Sequence, residues 1–292
     1  MRPDFNQVAK AALDSLDRAI FEDCGEVGDI TSDALPLGNV YARGTLLCKA
    51  QGVIAGVSLL PELCALKRLP DAQALEATVI VKDASVVSAG TIAATIEGPA
   101  RSLLVLERPL LNLLSRLSGI ASLTARFVER VSGSGVAICE TRKTTPGLRT
   151  LEKYAVVCGG GTNHRYGLYD ELMVKENHLM LGALSISETV AELRSAYPTK
   201  RLTLEVENLQ QLEEALGLDI DCIMLDDFST KDVERAVALR GRTGRTSIIF
   251  EISGGVTIDN VSALAKLGVE RISVGALTHS AKALDMSFKL TR

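Results

Sequence analysis

Hydrophobic and polar positions change texture along the chain, and each texture predicts a different element. Residues 1–30 read as an amphipathic helix, and they are followed by glycine-punctuated, β-like runs, VYARGTLLCKAQGVIAG and ATVIVKDASVVSAGTIAATIEG. Together these predict a small α+β domain over 1–115. From Ala100 to about Val131 the period turns helical, with Pro109 inside the run. Proline is tolerated at the first turn of a helix or at a kink, so a break that presents Arg108 is expected there. Beyond Gly135, VAICET, ELMVKEN, LTLEVE, CIMLDDF, SIIFEISGG and RISVGAL alternate with LRTLEKYAVV, SISETVAELRSAY, NLQQLEEALG, STKDVERAVALRG and TIDNVSALAKLG. That alternation implies a parallel sheet with right-handed crossovers, expected to occupy 116–292, with the extreme C-terminus returning to the N-terminal domain.

Polar residues fall at the ends of those strands: Arg142, Lys175, Glu205 with Glu207, Asp226, Ser253 and Gly275. A closed α/β barrel converges such tips on one pocket, whereas an open doubly wound sheet uses only the loops near a switch point. The pattern therefore predicts a barrel, incomplete at six or seven strands because too few residues remain for eight.

Composition narrows the ligand. The 292 residues are 47% hydrophobic and 23% charged, as in an ordinary folded protein, and carry a formal net charge of -4. Against that balance, the segment 140–178 gathers Arg142, Lys143, Arg149, Lys153, His164, Arg165, Lys175 and His178. A local cationic cluster on an acidic chain suits a polyanionic small molecule and argues against a nucleic-acid surface. The N-terminus lacks the layout of a secretory signal and no run reaches membrane-spanning length, so a cytoplasmic protein without a membrane partner is expected. Six cysteines without a CxxC pair read as buried, reduced thiols, and no structural zinc is expected.

The tips carry distinct chemistries. Arg142, Arg165 and Lys175 supply fixed positive charge, arginine's planar fork suits a carboxylate or phosphate, and His164 adds a donor. Glu205 and Asp226 suit a hydroxyl, a Mg2+ or a developing cation. Ser253, Gly254 and Gly255, and again Gly275, form strand-to-helix turns whose N–H groups suit a phosphate. Glu207 faces as Glu205 does, and only one of Asp226 and Asp227 is expected to face the pocket, the other serving as a helix cap or rim charge. The glycines 159–161 read as a helix terminator, and His178 and His279 as structural histidines.

The ordered runs ERPLLNLLSRLSGIA, ETRKTTPGLRTLEKYAVVCGGGTNHRYGLYDELMVKENH, LEVEN, IMLDDF, EISGG and ISVGALTHS, with EDCGEVGDITSDAL near the start, resemble the quinolinate phosphoribosyltransferases. TRKTTPG followed in register by GGGxNHR and KxNH is the most specific part. The resemblance implies an N-terminal open-faced α+β sandwich domain, an incomplete α/β barrel, and a homodimer whose active site borrows a residue from its partner. It implies that Arg142, His164, Arg165 and Lys175 surround the two carboxylates of quinolinate, with Arg108 arriving from the other subunit. It further implies that Lys143, Glu205 and Asp226 face phosphoribosyl pyrophosphate and its Mg2+, and that Ser253, Gly254, Gly255 and Gly275 hold the 5-phosphate. The expected reaction gives nicotinate mononucleotide, pyrophosphate and CO2. Departures from the family's pattern are Pro109 after Arg108, an EDCGEVGDIT loop one residue longer than the commonest form, and Ile252 before SGG. The rivals are a molybdate-transport paralogue of the same fold, a Schiff-base aldolase using Lys175, and a phosphate-ligand sensor without catalysis.

Overall fold

The computed structural model describes residues 4–292, so the first three positions of the expected N-terminal helix lie outside the described residues. Two compact units interleave along the chain, one comprising Met1–Ala125, Thr144–Gly161 and Leu277–Arg292, the other Arg126–Lys143 and Thr162–Ala276.

In the first unit, α1 (Phe5–Cys24) starts at Asp4, whose side chain accepts the Asn6 N–H, and ends at Gly25 with φ 55°. Its buried stripe is Val8, Ala9, Ala12, Leu16 and Ile20, the three-to-four spacing of a helix with one apolar face. The short α2 (Ile30–Asp33) is capped by Asp29, which accepts the N–H groups of Thr31 and Ser32. Strands β1 (Tyr41–Cys48), β2 (Gly52–Val53), β3 (Glu76–Val79), β4 (Val86–Val87) and β5 (Ile92–Pro99) come from the two glycine-punctuated runs. The main sheet has the order β12-β1-β5-β3, where β12 is Met286–Thr291 at the C-terminus. Antiparallel pairing of Arg43 with Thr291 through Cys48 with Met286 fixes its register.

Helix α3 (Ala100–Arg130) continues through Pro109, so the expected break at Arg108 is absent. Proline removes one N–H donor, and a long helix tolerates that loss when its apolar face is packed along its length. Here Leu103, Leu106, Leu110, Leu114 and Leu117 are all fully or almost fully buried. Arg108 is exposed on this helix. At Gly119 an added Cβ would lie 2.1 Å from the Lys282 carbonyl oxygen. Gly119→Ala should therefore destabilise the protein by about 1–3 kcal/mol through overpacking. Thermal unfolding would read this, and an unchanged melting temperature would contradict the close approach.

The second unit is a six-stranded sheet of order β6-β11-β10-β9-β8-β7, every pairing parallel. Its strands are β6 (Ala137–Cys139), β7 (Leu172–Val174), β8 (Leu202–Val206), β9 (Cys222–Asp226), β10 (Ile249–Ser253) and β11 (Arg271–Ser273). Each predicted run is present. Helix α4 (Arg149–Cys158) follows β6 in sequence and belongs to the first compact unit; Gly159 caps its end, the terminator role expected of the glycine triplet. After β7 come α5 (Glu176–Gly182) and α6 (Ile186–Ala196), and β8, β9 and β10 are each followed by one helix: α7 (Leu209–Ala215), α8 (Thr230–Thr243) and α9 (Val261–Leu264). The four-residue α10 (Ala276–His279) follows β11. The sheet does not close between β6 and β7, although a parallel bridge from Cys139 to Thr162 extends that edge. It is an incomplete α/β barrel, as six predicted strands require.

Candidate functional site

Strand alternation aims one set of side chains inward from the sheet. Met173 and Lys175, Thr203 and Glu205, Met224 and Asp226, and Glu251 and Ser253 stand two apart on successive segments, and Ser253 pairs in register with Asp226. At the C-terminal ends of these strands lies a cavity of about 360 Å3 lined by Thr141, Arg142, Lys143, His164, Arg165, Met173, Lys175, Glu205, Met224, Asp226, Ser253 and Ser273. Of the charged or ionisable residues assigned to this rim from the sequence, Arg142, Lys143, His164, Arg165, Lys175, Glu205 and Asp226 reach it and Glu207 does not.

The loop after β6 brings in the first cations. Thr141 Oγ1 accepts the Lys143 N–H at 3.0 Å, turning the chain so that Arg142 and Lys143 are both exposed at the mouth. The stretch 163–166 is tied down from beneath by Glu140, which is fully buried. Its carboxylate accepts from Asn163 Nδ2 at 3.1 Å and from the His164 N–H at 3.0 Å. His164 and Arg165 are consequently buried, each only 7% exposed, and the Arg165 guanidinium donates to the Glu171 carbonyl at 3.0 Å. Burial, and next the Arg142 guanidinium, lower the Arg165 pKa, while Glu171, Asp170 and Glu205 pull the other way. Two guanidiniums that repel one another in a partly desolvated cleft are relieved by a dianion, which suits a dicarboxylate.

Lys175 is the N-cap position of α5 and its ammonium pairs with Glu205. The run ELMVKEN is thus strand only over Leu172–Val174, because His178 Nδ1 accepts the Lys175 N–H at 3.0 Å and starts a helix at Glu176. His178 is a capping histidine, as expected, and His279 lies 2.6 Å from the Ser280 hydroxyl. Glu207 stands one residue beyond β8, is exposed and does not line the cavity, so the structure separates it from Glu205. Asp226 lines the cavity, and Asp227 caps no helix: Ser229 caps α8.

Asp227 instead braces the glycine turn. Its backbone is left-handed, at φ 56°, and its N–H donates to the Ser253 carbonyl at 2.9 Å. Gly254 and Gly255 have φ of 85° and 57°, and a Cβ on Gly254 would lie 3.0 Å from the Asp227 nitrogen. Gly254→Ala should therefore raise the KM for a phosphate-bearing substrate at least tenfold, about 1.4 kcal/mol, by deforming the turn. Steady-state kinetics would check it, an unchanged KM counting against the cradle. The helix that follows this turn begins only at Val261 and is four residues long, so the expected helix N-terminus does not abut Ser253–Gly255; at Gly275, α10 begins with the next residue. Gly254, Gly255 and Gly275 do not line the cavity, and Arg108 belongs to the other compact unit.

Sequence reasoning passed over Met173, Met224, Glu251 and Ser273. Their inward positions follow from the same alternation that selected Glu205 and Ser253, but none stands out in composition. A larger concavity, of about 800 Å3, opens near the N-terminal ends of β8, β9 and β10. Its four cations are committed within the protein: Arg194 to the Asp219 and Lys200 carbonyls and the Asp221 carboxylate, Lys200 to the Tyr169 and Asp170 carbonyls, Arg245 to the Leu216 and Leu218 carbonyls, and Arg201 to the Glu171 carboxylate. Size notwithstanding, it reads as structural, the usual role of that end of a barrel.

The chain resembles known proteins over nearly its whole length. Residues 29–118 match the family model for the quinolinate phosphoribosyl transferase N-terminal domain, and residues 120–289 match that for the C-terminal domain. A probable carboxylating nicotinate-nucleotide pyrophosphorylase of Bacillus subtilis is 37% identical over 94% of this chain and 92% of its own. The carboxylating nicotinate-nucleotide pyrophosphorylase of Mycobacterium leprae is 38% identical over 96% of this chain and 97% of its own. The solved structure of the nicotinate-nucleotide pyrophosphorylase from Francisella tularensis superposes with a TM-score of 0.87 at 32% identity, covering 97% of both chains.

Proposed function

The chain belongs to the quinolinate phosphoribosyltransferase family, and from that premise we propose that its rim cavity joins quinolinate to phosphoribosyl pyrophosphate, giving nicotinate mononucleotide, pyrophosphate and CO2. The observation that carries this reading is the convergence of Arg142, Arg165 and Lys175 with Glu205 and Asp226 around one cavity. A cationic side suits a dicarboxylate and an acidic side suits a developing sugar cation.

Arg142, Arg165 and Lys175 hold the carboxylates and so aim the pyridine nitrogen at the anomeric carbon. As pyrophosphate departs, positive charge builds on the ribose and negative charge on the leaving group. Glu205 and Asp226 favour the first, and Lys143 at the mouth favours the second. In the adduct the quaternary ring nitrogen adjoins the carbon that bears one carboxylate. Loss of CO2 there leaves an electron pair that this nitrogen stabilises, and a proton replaces it. No covalent enzyme intermediate is needed. Ser253, Gly254, Gly255 and Gly275 are the residues we assign to the 5-phosphate.

Among the described residues no three His, Cys, Asp or Glu side chains form a metal cage. Mg2+ does not require one, since it is commonly bound through one or two carboxylates and substrate phosphates while keeping several waters. Glu205 and Asp226, lining one cavity, fit that donor set and would hold the ion. When bound it would neutralise charge on the pyrophosphate.

The working unit we propose is a homodimer in which the partner subunit's Arg108 completes the quinolinate site; the exposure of Arg108 on α3 is compatible with that role. We also place the protein in the cytoplasm; among the described residues no helix is long and apolar enough to cross a membrane. A Schiff-base aldolase would need Lys175 as a free amine, whereas its ammonium is engaged by Glu205, and that reading leaves Arg142 and Arg165 without a task. The test is an assay with quinolinate, phosphoribosyl pyrophosphate and Mg2+, each omitted in turn. Nicotinate mononucleotide should form only when all three are present; formation without quinolinate, or none under any condition, would overturn the reading.

A further inference from the structure

One layer below the cavity floor sits a carboxylate with no exposed surface that the mechanism does not use. Glu251 is on β10, two positions before Ser253, and is 0% exposed. It accepts from the Ser273 hydroxyl, and His164 Nε2 lies 3.0 Å from its Oε1. Arg271 Nη1 is 3.9 Å from its Oε2, as is the Cys222 sulfur. Burial alone would raise its pKa; His164, Ser273 and Arg271 outweigh that, and the carboxyl is held below its ordinary value. Keeping an ion in a barrel interior is costly, and an apolar side chain of similar volume would commonly serve stability as well. The two neighbours that reach the cavity are His164 and Ser273.

The hydrogen bonds of His164 set its tautomer. Its Nδ1 accepts the Arg165 backbone N–H at 2.8 Å, so that nitrogen carries no hydrogen. The ring proton is then on Nε2, the nitrogen that lies 3.0 Å from the Glu251 carboxylate. Arg165 is thereby fixed at both ends, its N–H on the His164 ring and its guanidinium on the Glu171 carbonyl.

We propose that Glu251 is a positioning residue for the dicarboxylate: from beneath the floor it fixes the orientation and tautomer of His164, and through that ring the placement of Arg165. On this reading His164 acts as a neutral brace, and the charge that meets the substrate comes from Arg142, Arg165 and Lys175. The inference rests on quinolinate being the substrate, and its readouts separate the two claims.

Two variants and one measurement on the unaltered protein test it. Glu251→Leu should raise the KM for quinolinate roughly 10- to 100-fold, the worth of a hydrogen bond to a charged group, while the KM for phosphoribosyl pyrophosphate stays within about twofold. Glu251→Gln keeps an oxygen for the His164 Nε2–H and an amide for Ser273, and should restore the quinolinate KM to within about fivefold. Nitrogen-15 spectra of the unaltered protein at neutral pH should show His164 protonated at Nε2 and bare at Nδ1. This last measurement stands whether or not the Leu variant folds, and whether or not quinolinate is turned over. A His164 protonated at Nδ1, an unchanged quinolinate KM in a folded Leu variant, or equal rises for both substrates would overturn the proposal. Absence of quinolinate turnover in the unaltered protein would instead count against the activity.

Discussion

Arg165→Ala is expected to lower kcat/KM for quinolinate by about 2–5 kcal/mol, a roughly 30- to 5,000-fold loss. That range applies to truncating one partner of a desolvated charge pair, and Arg165 qualifies because it is 7% exposed and anchored at both its main chain and its guanidinium. Arg142→Ala and Lys175→Ala should fall in the same direction, Arg142 by less because it is exposed at the mouth. Arg165→Lys should not rescue, since a single ammonium cannot reproduce the planar fork. Steady-state kinetics with quinolinate varied would decide, and near-wild-type values in Arg142→Ala and Lys175→Ala together would remove the cationic side from the account.

The second large effect is a gain. Arg108→Ala and Lys175→Ala, each nearly inactive alone, should recover about a quarter of wild-type activity when their subunits are mixed and exchanged. Random pairing makes half the dimers mixed. Each mixed dimer places both substitutions in one site and leaves the other intact, so one site in four works overall. No recovery despite demonstrated exchange would mean that Arg108 does not serve a partner's site.

Much of this was legible in the sequence because it depends on periodicity. Barrel strands buried on both faces appear as short apolar runs, and all six were visible, as was the helical stretch that became α3. Rim residues were legible for the same reason: alternation carries Glu205, Asp226 and Ser253 to the strand ends whose positions the runs already set. What failed was local punctuation overruled by context. Pro109 reads as a break, yet the packed leucines of α3 hold the helix through it. Asp227 reads as a cap or a rim charge; it is exposed, and its left-handed backbone and its hydrogen bond to Ser253 assign it to the glycine turn, leaving Ser229 to cap α8. The C-terminus was expected to return to the N-terminal domain, but not as a strand: the partner of β12, β1, is more than two hundred residues away, and no local pattern reports such a pairing. Glu251 was invisible for a related reason: a glutamate in EISGG looks like any charged residue until the fold shows it buried beneath His164 and Ser273.

The most direct test of the central claim is a carbon balance under single turnover, using quinolinate labelled with carbon-13 in the carboxylate adjacent to the ring nitrogen. With phosphoribosyl pyrophosphate and Mg2+ present, about one equivalent of labelled CO2 should be released for each nicotinate mononucleotide formed, and none when phosphoribosyl pyrophosphate is withheld. Release of CO2 without the ribosyl donor, or a nucleotide product that retains the label, would contradict it.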